Sequence, residues 1–186
     1  MRVAVAIVFL FLLKVGLAGE RWKHTSTEFI LSEAEGLSET VRQKAKLPAD
    51  SVRADTLIAL AKTQLGKNYC YAVADPEKGF DCSGFVYFVF ASFNINVPRS
   101  SKLYKNYGKK IPIDSARAGD VIVFTGTNAR RRSPGHVGIV ISCANGIPTF
   151  IHSSSGKKKG VIISDFNESP YYKKRFIKIV RVAVVY

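Results

Sequence analysis

The sequence predicts an α+β domain, with N-terminal helices packed on an antiparallel β-sheet of about five strands. Three observations carry this reading. Helix-like spacing of apolar residues is confined to the chain before residue 96. Short β-rich runs then follow one another from Val121 onward, and an Asn145-Gly146 pair joins two of them as a hairpin turn would. Helices first and consecutive strands afterwards suit one mixed domain rather than alternating βαβ units.

Residues 1–19 have the layout of a signal peptide: Arg2, an apolar run from Val3 to Leu13, and the small-x-small pattern Gly16-Leu17-Ala18. The run is short of the about 20 residues that a membrane span needs. Cleavage is the expectation; an uncleaved anchor and a buried N-terminal strand are the alternatives. Leu17-Ala18-Gly19 also looks like a lipobox, but position 20 is Glu where a lipid-bearing Cys is required. Lipidation at residue 20 is therefore excluded, and a secreted or periplasmic protein without stable membrane insertion after signal cleavage is expected.

Residues 20–50 carry six acids and five bases. Ile30, Ala34, Leu37, Val41 and Ala45 recur at helical spacing, Gly36 weakens the pattern and Pro48 closes it, so a helical arm or linker is expected. The main domain is placed at residues 51–186. There Ala54, Leu57, Ile58, Ala61 and Leu65 form one stripe, with Gly66 as a suitable C-terminal cap. Cys82 to Ile95 is apolar nearly all round; its length of about 14 residues favours a buried helix with Asp81 as N-cap and Pro98 beyond its end. Val121–Phe124, Val137–Ile141, Thr149–His152, Val161–Ile163 and Phe176–Val185 read as strands.

The chain of 186 residues carries 28 Lys+Arg against 14 Asp+Glu, a net charge of +14, and residues 51–186 hold +13 of it. With 47% hydrophobic residues it is no disordered basic tail. Three cysteines without a CxxC pair exclude a disulfide scaffold and a zinc finger. The charge suits an anionic partner such as a cell-wall polymer. Nucleic acid is not expected, because no recognised binding motif accompanies it. Arg130-Arg131-Arg132, Lys157-Lys158-Lys159 and Lys173-Lys174-Arg175 are the densest runs, and solvated loops that only keep the protein soluble are their plainer explanation.

Cys82 opens the buried helix, where the partial positive charge of a helix N-terminus favours a thiolate and first-turn N–H groups can hold an oxyanion. A lone cysteine is more often a small buried hydrophobe. The histidines change that weighting. His136 begins a strand and His152 lies across the Asn145-Gly146 hairpin, so period-two alternation can put both on one side of the sheet. A Cys–His pair with a third orienting group is the arrangement of an activated thiol nucleophile. A Cys/His/His zinc site lacks any further ligand pattern, and no metal or other cofactor is expected.

Gly79-Phe80-Asp81-Cys82-Ser83-Gly84-Phe85-Val86, Val97-Pro98-Arg99-Ser100, Ala118-Gly119-Asp120-Val121 and Gly135-His136-Val137-Gly138-Ile139 follow one another in an order that resembles the NlpC-type cell-wall cysteine peptidases. The resemblance covers about residues 52–185. It implies a papain-like core and hydrolysis of peptidoglycan stem peptides, typically between D-glutamate and a diamino acid. It further implies Cys82 as nucleophile, His136 as general base and His152 as the orienting residue. Tyr69 would line the site near the oxyanion, and Asp81 and Ser83 would bind the stem's free amine. The family's frequent Tyr-x-Trp-Gly-Gly is here Tyr69-Cys70-Tyr71-Ala72-Val73, so the loop beside the cleft differs. Cys70 either pairs with Cys143 or stays an inert thiol, the second being favoured. An amidase or acyltransferase on another amide or lipid, and a non-catalytic wall-binding module, are the alternatives in function.

Overall fold

The computed structural model describes residues 53–156 and 159–182, within the unit Pro48–Tyr186. The expected signal peptide and arm lie outside the described residues, as do Lys157, Lys158 and the last four positions. Helix α1 (Ala54–Thr63) forms where Ala54, Leu57, Ile58 and Ala61 recur on one face, and all four are buried. Leu65 does not continue the stripe: it lies past the helix and is 44% exposed. The chain turns away through Gly66 at φ 81°.

Strands β1 (Ala74–Asp75) and β2 (Gly79–Phe80) form a small antiparallel pair that leads into helix α2 (Cys82–Ala91). Asp81 caps α2, its carboxylate accepting the Gly84 N–H at 2.6 Å. The helix ends before its apolar run does. Asn94 takes a left-handed φ of 57°, and the Asn94 and Ile95 N–H groups turn back to the carbonyls of Ala91 and Phe90 at 3.0 and 3.1 Å. That is a Schellman closure. Ile95 and Val97 stay buried beyond it.

Strand β3 (Lys109–Ile111) precedes β4 (Val121–Thr125), β5 (Pro134–Ala144), β6 (Ile147–Ser154) and β7 (Gly160–Asp165). A short helix α3 (Pro170–Arg175) then leads into β8 (Phe176–Arg181). These strands make one antiparallel sheet in the order β3-β8-β4-β5-β6-β7. The expected antiparallel sheet is present, with β3 as a sixth strand. Three residues, two of them exposed lysines, give β3 no readable alternation. Asn145 and Gly146 both have positive φ, 51° and 76°, the requirement of a type I′ turn.

Successive residues of β4 serve opposite faces of the sheet. Val121 and Val123 pack with Phe85, Val86, Val89 and Phe90 of α2. Ile122 and Phe124 join Val140, Phe150, Tyr172 and Ile179 in a second cluster. Each large apolar side chain fully buried this way contributes roughly 1.5–3 kcal/mol. Asp120, just before β4, accepts two hydrogen bonds from Arg181 at 2.9 Å and so fixes the end of β8. Among the described residues no helix is long and apolar enough to cross a membrane.

Candidate active site

Cys82 is the first residue of α2 and is buried. The N–H groups of Val137, Ser83 and Cys82 itself favour its thiolate. Burial, helped by the neighbouring Asp81 charge, outweighs them and pushes the thiol up from its usual value. The helix terminus therefore does not win as the sequence suggested, and the resting group is a thiol. Gly84 is explained by close approach: a Cβ there would run into the Val73 carbonyl.

Strands β5 and β6 bring His136 and His152 together. His136 Nε2 lies 3.0 Å from His152 Nδ1, and His152 Nε2 lies 3.0 Å from the Ser164 hydroxyl on β7. Gly138 makes the crossing possible, since a Cβ there would sit 2.9 Å from the Cβ of His152. Both rings pack against Tyr172, with Phe124 beside His136 and Phe150 beside His152. This is the sheet face opposite α2, and Cys82, Gly135 and His136 border one cavity.

Burial lowers His136 well below the usual imidazole value, helped by His152 and Arg175. Burial, with Arg175, lowers His152 to about 3. Both rings are neutral, so one proton lies between them. Of the two arrangements that satisfy the whole chain, one has His136 Nε2–H donating to His152 Nδ1 and His152 Nε2–H donating to Ser164. That arrangement leaves His136 Nδ1 unprotonated. Ser164 escaped the sequence reading, because a serine in a β-rich run carries no motif.

Two cavities meet at Cys82. The larger, about 490 Å³, is lined by Tyr69, Tyr71, Asp81, Ser83, Arg99 and Lys102 among others. The smaller, about 80 Å³, is lined by Tyr69, Gly135, His136, Ser154, Tyr172 and Arg175 among others. Asp81 is already engaged. Arg99 donates to its two carboxylate oxygens at 3.0 and 3.1 Å, and Ser83 donates to one of them at 3.2 Å. The Val97-Pro98-Arg99-Ser100 motif thus brings a cation to the site, a contribution that the sequence did not reveal.

Tyr69 lies between the cavities, held by a segment sewn down on both sides. Lys67 accepts from Val161 on β7 at 2.8 Å, while Asn68 and Cys70 exchange main-chain bonds with Phe80 at 3.0 Å. Burial pushes the Tyr69 phenol up, so it stays a donor. Arg132 donates to the carbonyls of Lys174 and Phe176, which gathers two of the basic runs on the side of the smaller cavity. Cys70 and Cys143 are both free thiols. No cluster of metal ligands occurs among the described residues.

A family profile described as "NlpC/P60 family" matches residues 66–181. Among curated proteins, murein DD-endopeptidase MepS/murein LD-carboxypeptidase of Escherichia coli K12 is 40% identical over 107 residues, 57% of this chain and 51% of that one. Gamma-DL-glutamyl hydrolase of Bacillus subtilis is 28% identical over 143 residues, 77% of this chain and 33% of that one. A crystal structure of an NlpC/P60 family protein from Bacillus cereus superposes with a TM-score of 0.62 at 30% identity, covering 73% of this chain and 41% of that one. The chain thus spans about a third to a half of the length of these curated relatives.

Proposed function

The chain belongs to the NlpC/P60 family, and from that premise we propose that it is an exported cysteine endopeptidase of peptidoglycan stem peptides, cleaving the bond between D-glutamate and a diamino acid. The observation that carries this reading is the 3.0 Å contact between His136 and His152, at a cavity that His136 shares with Cys82. The murein and γ-glutamyl substrates named for the relatives supply the substrate class.

In the mechanism, His136 Nδ1 takes the Cys82 proton as sulfur attacks the scissile carbonyl. Because burial raises the thiol and lowers the imidazole, transfer accompanies attack and no standing ion pair is needed. Charge developing on the carbonyl oxygen is met by main-chain N–H groups at the start of α2 and by the Tyr69 phenol. His136 then gives its proton to the departing amine, and water releases the acyl-enzyme with His136 again as base. His152, steadied by Ser164, holds the His136 ring and its tautomer. Asp81, neutralised by Arg99, shapes the larger cavity and leaves Ser83 beside it for the stem's amine.

The test is digestion of purified muropeptides with mass analysis of the fragments. The protein should release fragments cut at the D-glutamyl bond, and Cys82→Ala, folded by circular dichroism, should release none. Cleavage retained by that variant would overturn the mechanism.

A further inference from the structure

The smaller cavity holds a buried cation that the mechanism above does not use. Arg175, the last residue of α3, is 5% exposed. Its Nε donates to the Gly126 carbonyl at 2.8 Å and its Nη2 to the Thr125 carbonyl at 2.6 Å. Its guanidinium carbon lies 4.3 Å from the centre of the Tyr171 ring. These contacts fix the plane of the group without supplying an opposite charge. Among the described residues no carboxylate forms an ion pair with Arg175, and no Asp or Glu lines the cavity. Lys173 and Lys174 add further positive charge on the same short helix.

A buried charge is normally balanced by a partner of opposite sign. Here the described residues provide none, and the group borders the space beside the nucleophile. The hydrogen bonds to protein use Nε and Nη2, leaving Nη1 to donate. A carboxylate is the ligand that suits a planar guanidinium donor.

The chemistry of the reaction indicates which part of the substrate would carry it. His136 lines the smaller cavity and not the larger. The group that receives its proton is the departing amine, so the leaving residue must reach into the smaller cavity. Its volume of about 80 Å³ is a few times the roughly 30 Å³ of one water, enough for a carboxylate and an adjoining carbon.

We propose that Arg175 receives a free carboxylate borne by the leaving residue, so that the enzyme selects leaving groups that carry a negative charge. The proposal rests on the peptidase reading given above. Two sources share this chemistry: the α-carboxylate of a residue at the end of a stem, and the side-chain carboxylate of a diamino acid.

Three peptides with the same L-alanyl-γ-D-glutamyl acyl part decide between them. Their leaving residues are lysine with a free α-carboxylate, lysinamide, and diaminopimelate amidated at its α-carboxyl so that only the side-chain carboxylate remains. kcat/KM is measured for the wild type, Arg175→Gln and Arg175→Lys. One carboxylate peptide should be cleaved about tenfold or more faster than lysinamide, and which one it is identifies the source. That ratio should fall towards one in Arg175→Gln and be partly kept in Arg175→Lys. If Arg175→Gln does not fold, the wild-type ratios and Arg175→Lys decide alone. Equal rates on all three peptides would overturn the inference and leave the peptidase reading standing. No cleavage of any of them would overturn both.

Discussion

His136 and His152 stand with ring planes 88° apart and centroids 5.0 Å apart, joined by one hydrogen bond and both buried. Strand β5 provides one ring and β6 the other, so the main-chain register of a single hairpin sets their geometry. Two neutral imidazoles in contact can share a proton without confining a charge, which a carboxylate buried in the position of His152 would do.

Under the proposed mechanism His152→Ala should therefore reduce kcat by about 10²–10³-fold while changing KM little, because it would remove the orientation of the base and not a substrate contact. His152→Asn, which can still accept from His136, should recover part of the loss. Steady-state kinetics on a purified stem peptide checks this. A fall confined to KM would show that His152 binds substrate instead.

Stability should decline on the acid side of about pH 6.5. In the unfolded chain each histidine takes a proton near the usual imidazole value of about 6.5. In the folded chain His152 is lowered to about 3 and His136 is also well below that value. Between these limits the unfolded state holds more protons, so folding is disfavoured as pH falls through the window. The stabilising contribution of the two rings is lost as pH falls through this window and is complete above about 6.5. Urea midpoints at pH 7, 6 and 5 should decrease in order, and His152→Asn should flatten the slope.

Gly84→Ala should destabilise the protein although alanine favours a helix. The propensity gain is about 1 kcal/mol. Against it stands the Val73 carbonyl, a main-chain group that cannot swing away from the new methyl. Overpacking of this kind costs about 1–3 kcal/mol, so a net loss visible as a lower Tm is expected. An unchanged or higher Tm would mean that the β1 segment yields.

Tyr104→Phe should leave stability unchanged or raise it by about 1 kcal/mol. The ring is fully buried, and its hydroxyl has no hydrogen-bond partner among the described residues, so the folded state bears a desolvation penalty that phenylalanine removes. Chemical denaturation of the two proteins side by side settles the sign.

Much of the fold was legible because it rests on local signals. Asp81 before an apolar run, Asn145-Gly146 between alternating segments and the period of α1 each act over a few residues. Helix α2 was read too long, because Asn94 in a left-handed turn looks no different in sequence from Asn94 within a helix. Strand β3 and helix α3 were missed, being three and six residues long. Within the site, Cys82, His136 and His152 were legible as residue types at element ends. Ser164, Arg99 and Arg175 were not: their places depend on strand pairing and long side chains reaching across the fold. The thiol's raised value was also hidden, since burial is a property of the assembled core.

The segment from Lys67 to Cys70 also touches the outer strand of the sheet at its first residue. By bonding Lys67 to Val161 it occupies main-chain groups that β7 would otherwise present at its free border. An open strand border invites pairing with another copy of the chain. The residues that lead to Tyr69 thus close this border to another chain at Val161. Shortening them to widen the cleft would uncover that position of the outer strand.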